Sequence, residues 1–379
     1  MVRCVAAIHT QCVLRQLLEA KRRSPMAARS ACVSVTIAVF VALIAALACS
    51  ARVQGLLVFL WFVDWPPAAW DAPMLPFPCW SKAACRWDED ELAWMPPRGT
   101  RVPDPLSIFT FPGTRVGNAT SARIPTKRQG VKLGAWVMCG SSSGESCSSS
   151  GVTLIYAHGN AGNRATGHRV KLYEQLLRNT AYHVDTVVAF DYSGFADSGG
   201  GGEAAWDVSE ERVVADMLAV DAWVKRLLQP KAVIWWGHSL GTGVVLGALE
   251  QLAALGGANA AALPSALVLE APFTSVVDVA AIQWGMLAQT LTHTFHSLPR
   301  AQLRLAPVLV LHGVHDTVIP VSQGKAIADA AGAAIELFDS GHDDIIVRPC
   351  QLARAVGAFF DRHLGVVEEK LEAVTVPPC

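Results

Sequence analysis

Charge is scarce in this chain of 379 residues: Asp, Glu, Lys and Arg together make up 17%, and the formal net charge is −1. A nucleic-acid binder shows a basic stripe or a recognisable binding module, and the body of the chain has neither. Cys-x-x-Cys pairs are absent although there are ten cysteines, so the usual zinc spacing is missing and no metal is expected. No internal repeat is present, which argues against solenoids and propellers. Apolar residues, by contrast, reach 52%, and the mean hydropathy of +0.33 points to a membrane segment.

The apolar surplus is concentrated near the N-terminus. Residues 1–30 carry Arg3, Arg15, Lys21, Arg22, Arg23 and Arg29 against Glu19 alone. Residues 31–51 then run without a charge, long enough to cross a hydrocarbon core of roughly 30 Å as a helix. Residues 53–63 continue apolar, and Trp61, Trp65 and Trp70 suit the interfacial belt. The expectation is a basic cytoplasmic leader over 1–30 and a single-pass transmembrane and interfacial segment over 31–63, with the body in the lumen or outside. A cleaved signal ending near Ala46-Leu47-Ala48, or an Arg-rich transit peptide, is the competing reading. Asn118-Ala119-Thr120 is a glycosylation sequon. Cys79 with Cys85, and Cys139 with Cys147, are close enough to bridge in an oxidising compartment.

Residues 64–105, rich in Pro and Trp, read as a linker. Residues 106–365 read as the catalytic domain, and 366–379 as a tail. Apolar runs near 131–138, 152–157, 184–190, 232–236, 266–269, 307–312 and 334–339 predict strands. Helical periods over 165–178, 207–228 and 351–363 predict helices, with Asp207 and Glu210 as a capping box for the second. Alternating strands and helices imply a mostly parallel sheet covered on both faces. An apolar insertion over 272–306 is expected as a short cap. Val279, Ile282, Trp284, Met286, Leu287 and Phe295 are candidates to line an acyl pocket there, or to form the small core of a helix pair.

Ligands bind at the carboxyl ends of the strands in such a sheet. Gly237-His238-Ser239-Leu240-Gly241 follows one apolar run and opens a helical one, the strand–turn–helix context that G-x-S-x-G requires. That turn lifts Ser239 above the sheet as a candidate nucleophile. Asp316 and His342 follow the next strand ends, in the order Ser, Asp, His, as candidate orienting acid and general base. Leu240 N–H and Asn160 N–H, the latter from the loop His158-Gly159-Asn160-Ala161-Gly162-Asn163, are candidate oxyanion donors. Glu270 is the alternative acid. Asp191 and Asp197 are expected to stabilise a turn, His238 to be structural, and His315, Asp343 and Asp344 to be solvated neighbours.

The segments LIYAHGNAGNRATGHRVKLYEQLL, VVAFDYSGFADSGG, IWWGHSLGTGV, ALVLEAPFTSV and VLVLHGVHDTVIP resemble the α/β-hydrolase domain-containing proteins over about residues 150–363. Ser193 stands where that family usually carries arginine. The resemblance implies the α/β-hydrolase fold preceded by a membrane helix, with Ser239 as nucleophile, Asp316 as acid and His342 as base. It also implies an enzyme of the endoplasmic reticulum membrane acting on lipids. The expected reaction is hydrolysis of a lysophospholipid or monoacylglycerol ester without a cofactor, with the bilayer and its lipids as partners and no obligate protein partner. An S-acyl-protein thioesterase and a non-catalytic membrane scaffold are the alternatives.

Overall fold

A computed structural model describes residues 86–88, 93–95, 110–111, 114–115, 119–140, 151–199, 208–255 and 262–364. The expected membrane segment over 31–63 lies outside them, as do Asn118, Cys79, Cys85 and Cys147. Among the described residues no helix is long and apolar enough to cross a membrane.

Eight strands form one sheet: β1 (Ala119–Pro125), β2 (Lys132–Cys139), β3 (Val152–Ala157), β4 (Thr186–Phe190), β5 (Ala232–His238), β6 (Ala266–Glu270), β7 (Val308–Gly313) and β8 (Ala334–Phe338). Their spatial order is β1-β2-β4-β3-β5-β6-β7-β8. The β1–β2 and β2–β4 pairs are antiparallel and the rest parallel. Cys139, at the end of β2, is disulfide-bonded. The α-helices among the described residues are α1 (Gly167–Arg178), α2 (Glu210–Leu227), α3 (Leu240–Ala254), α4 (Val276–Trp284), α5 (Ser297–Ala301), α6 (Val321–Ala331) and α7 (Pro349–Leu364).

Central strands are buried along their whole length because both faces of the sheet are covered. Side chains alternate between the faces, so β5 sends Trp235 toward α2 and α3 and Trp236 toward α1 and α7. Trp235 Nε1 donates to Asp221 on α2 at 2.9 Å, and Trp236 Nε1 donates to Glu270 at 2.8 Å. Each indole therefore buries its ring without leaving its N–H unpaired. Val213, Met217, Val220 and Val224 form the apolar stripe of α2, as their helical spacing predicts. Each such buried side chain contributes roughly 1.5–3 kcal/mol.

The start of α2 differs from the expected capping box. Ser209 is the N-cap, its hydroxyl accepting from Arg212 N–H. Glu210 instead accepts from Phe295 N–H and from Arg300, both at 2.8 Å, which ties the insertion to the body. The insertion itself is α4, a 3-10 turn over Gly285–Thr290 and α5.

Candidate active site

The strand–turn–helix at β5 and α3 is tight because of two glycines. A Cβ on Gly237 would lie 2.5 Å from the carbonyl oxygen of Gly241, and one on Gly241 would lie 2.0 Å from that of Ala157. Ser239, between them, has φ 52° and ψ −119°, outside the regions an L-residue favours. Its N–H donates to Glu270 O at 2.9 Å, and Thr242 Oγ1 donates to its carbonyl at 2.7 Å. The strain is held by the surrounding backbone, and the hydroxyl is thrust off the end of the strand.

The structure brings Ser239, His342 and Asp316 together. Ser239 Oγ lies 3.0 Å from His342 Nε2, and His342 Nδ1 lies 2.7 Å from Asp316 Oδ2. The other carboxylate oxygen of Asp316 accepts from Val318 N–H and Ile319 N–H, both at 2.8 Å. Burial alone would raise the Asp316 carboxyl, but hydrogen bonds from His312 and His342 and the histidine charge hold it well below the usual carboxylate range. Burial pulls the His342 imidazole down, and the bond and charge of Asp316 more than offset this, leaving it above the ordinary histidine value. An imidazole so placed can take a proton from a serine hydroxyl and be stabilised when charged.

Glu270 is not part of that line. It is buried at the end of β6, receives the Trp236 indole, and is pushed up by burial to about 7. Leu240 opens α3, so its N–H is among the first amides of a helix, which have no intrahelical partner. The loop bearing Asn160 lies against the serine: a Cβ on Gly159 would sit 3.4 Å from Ser239 Cβ. Arg169 of α1 holds this loop, donating to Asn163 O at 2.6 Å and Ala161 O at 2.8 Å. Tyr192 Oη donates to His158 O at 2.8 Å.

Asp191 and Asp197 do more than stabilise a turn. Both are buried against Arg164, itself enclosed, whose guanidinium bonds Asp191 Oδ2 and lies 2.6 Å from Asp197 Oδ1. Together they join the 158–164 loop to the chain after β4. Ser193 has its own support there: its N–H donates to Asp216 at 2.7 Å, and Arg128 reaches both Ser193 Oγ and Asp216. Sequence reasoning missed Arg164, Arg169, Tyr192 and His312, because buried polar residues carry no periodic signal. The fully buried His312 Nε2 donates to Ile319 O at 2.9 Å and lies 3.4 Å from Asp316 Oδ2.

His238 is buried, with Nε2 directed at His342 O 3.2 Å away, and burial drives its imidazole well down. His315 is exposed and pairs with Asp339 at 2.9 Å. Asp344 accepts from Gly341 N–H at 2.5 Å, holding the turn before His342. Phe295, a candidate for an acyl pocket or for a small helix-pair core, is fully buried against Phe273 and packs in the main core. Val279 packs on the same core, whereas Ile282 and Met286 are exposed. The side chains of Trp284 and Leu287 lie outside the described residues.

Residues 152–255 match the family model described as alpha/beta hydrolase fold. The chain is 35% identical over 213 residues to lysophosphatidylserine lipase ABHD12 of Danio rerio, covering 52% of this chain and 51% of that protein. It is 34% identical over 194 residues to human protein ABHD12B, covering 47% of this chain and 49% of that protein. The chain thus spans about half the length of the curated relatives it matches. Among solved structures, the Pyrococcus furiosus esterase Pf2001 aligns with a TM-score of 0.51 at 20% identity, covering 71% of this chain and 99% of its own. Est1E from Butyrivibrio proteoclasticus, with ferulic acid bound, aligns with a TM-score of 0.51 at 18% identity, covering 64% and 99%. The order of the sheet, the matched segment and these likenesses agree: the chain has the alpha/beta hydrolase fold and is similar over about half its length to the ABHD12 and ABHD12B proteins.

Proposed function

We propose that the protein is a serine hydrolase that cleaves carboxylic esters of lipids, with a lysophospholipid or monoacylglycerol as substrate. One observation carries the reading: Ser239 Oγ is 3.0 Å from an imidazole whose far nitrogen is 2.7 Å from a buried carboxylate. Ser239 Oγ attacks the acyl carbonyl while His342 Nε2 takes its proton. Asp316 keeps the ring in the tautomer that leaves Nε2 free to accept, and stabilises the imidazolium. The oxyanion is received by Leu240 N–H and Asn160 N–H. His342 then protonates the departing alcohol, and water, activated by the same imidazole, releases the acid from Ser239.

The substrate class is supported by the likeness to the Danio rerio protein, a lysophosphatidylserine lipase. The exposed Ile282 and Met286 on the insertion offer apolar surface to a lipid. The uncharged run over 31–51 acts as a single-pass anchor with a cytoplasmic leader and a lumenal body in the endoplasmic reticulum, so that enzyme and bilayer-partitioned substrate meet in one phase.

Detergent-solubilised protein and Ser239→Ala would be assayed for acid release from a lysophospholipid, a monoacylglycerol and a palmitoyl-thioester peptide. Ser239-dependent cleavage of the glycerolipids is expected. Preference for the thioester would move the protein to S-acyl-protein thioesterases, and equal turnover by both proteins would remove Ser239 from the reaction.

A further inference from the structure

Three potential ligands meet beside the proposed triad without belonging to it. His168 lies in the first turn of α1, His238 ends β5, and Asp343 directly follows His342. His168 Nε2 is 3.8 Å from Asp343 Oδ1, and His238 Nε2 is 3.5 Å from the same oxygen. One donor atom from each of the three falls within 4.8 Å of the others. Ligand atoms about 2.0–2.2 Å from a tetrahedral centre are themselves separated by about 3.3–3.6 Å, so small side-chain adjustments suffice. His168 Nε2 is buried and has no hydrogen-bond partner among the described residues, so a donor atom facing Asp343 is left without a hydrogen bond. Asp343 is more than half exposed, giving an approach from solvent.

We propose that His168, His238 and Asp343 form a site for a zinc-class divalent cation, and that the bound cation restrains the hydrolase. Two imidazoles and one carboxylate suit zinc. Magnesium and calcium, which take oxygen ligands, are excluded by the same donor set. Ligation through Nε2 moves the His238 proton to Nδ1, so the cation replaces the hydrogen bond that His238 donates to His342 O at 3.2 Å. The loop holding the base loses that support. The His238 and His342 rings are 5.2 Å apart, so a dication there also opposes the positive charge that develops on His342 as Ser239 attacks. This restraint rests on the hydrolase reading; the binding does not. Sequence spacing offers no hint of the site, because its ligands come from three separate elements.

Chelator-treated full-length protein would be titrated calorimetrically with zinc chloride and, separately, magnesium chloride. Ester hydrolysis would be followed in parallel with and without zinc. One zinc ion per chain is expected, with no binding of magnesium. His168→Ala and Asp343→Asn should each weaken zinc at least tenfold while circular dichroism stays native, and Ser239→Ala should bind zinc as the parent does. Zinc should slow the parent at least fivefold, reversibly on adding chelator, and the ratio of rates with and without zinc should approach one in Asp343→Asn. Absence of zinc binding, or affinity unchanged in both ligand variants, would overturn the site. Binding lost in the variants but without any effect of zinc on the parent's rate would overturn the restraint. No hydrolysis in chelator would sink the hydrolase reading and leave the calorimetric result standing.

Discussion

The Cβ that Gly324 lacks would sit 2.2 Å from Nδ1 of His312. Gly324 on α6 thus makes room for a buried ring that lies against Asp316 and holds the chain at Ile319. Gly324→Ala should displace the imidazole and with it the carboxylate that orients His342. The expected loss in kcat is at least about tenfold, from misplacement of catalytic groups. Steady-state kinetics beside a thermal melt checks this: a lowered melting point with unchanged kcat would mean that His312 serves packing alone.

Asp316→Asn keeps the shape of the side chain but reverses the hydrogen bond that selects the His342 tautomer. A fall in kcat of about 10⁴ is expected, as for a triad whose acid becomes an amide. Glu270→Gln, which retains an acceptor for Trp236, should keep most of the activity. A larger loss in Glu270→Gln than in Asp316→Asn would exchange the two acids.

The acid limb of kcat/KM should lie above the ordinary histidine value of 6.5, because Asp316 raises His342 and the base acts only when neutral. Activity is therefore lost as pH falls through the raised value. Asp316→Asn should move the limb to lower pH, with chelator present throughout. A limb that stays in place would detach it from His342.

Glu270 gives a stability test with a definite sign. Its carboxyl is pushed up by burial to about 7, from an ordinary value of 4.5. The folded state therefore holds a proton that the unfolded chain releases, and stability falls as pH rises from about 4.5 through 7. Relative to Glu270→Gln, the parent should lose on the order of 3 kcal/mol between pH 4.5 and 8. Denaturant titrations at the two pH values measure the difference, and an equal gap at both would place the ionised carboxylate in the fold.

Arg164 is enclosed with Asp191 and Asp197 and stacks 5.1 Å over the Trp136 ring. Arg164→Met leaves the buried Asp191 without its guanidinium partner and Asp197 with Arg123 alone, 2.9 Å away. A loss of about 3–5 kcal/mol in unfolding free energy is expected. A change of less than 1 kcal/mol, on the order of an exposed pair, would show that solvent reaches the cluster.

The places of Ser239, Asp316 and His342 just past strand ends were legible in the sequence because each follows an apolar run and a strand end is a local property. Seven of the eight sheet strands and the spans of α1, α2 and α7 were legible for the same reason: burial on both faces leaves continuous apolar strands, and burial on one side leaves a helical period. The N-cap at Ser209 was misread since Asp207 and Glu210 make an equally good local pattern, and Glu210 was taken by Arg300 and Phe295. Whether Phe295 faced a ligand or a core stayed open for a related reason. An aromatic in an insertion looks the same whether it faces a ligand or the core, and only packing against Phe273 decides.

What the linear pattern determined by itself was therefore the alternation of strands and helices and the identity of the residues at strand ends. What tertiary structure alone decided was which of them meet. Arg164 with its two aspartates, His312 behind Asp316, and His168 with His238 and Asp343 are brought together from distant elements. The sequence holds no trace of these pairings because a buried charge or imidazole is specified by its partners across the fold, not by its neighbours along the chain.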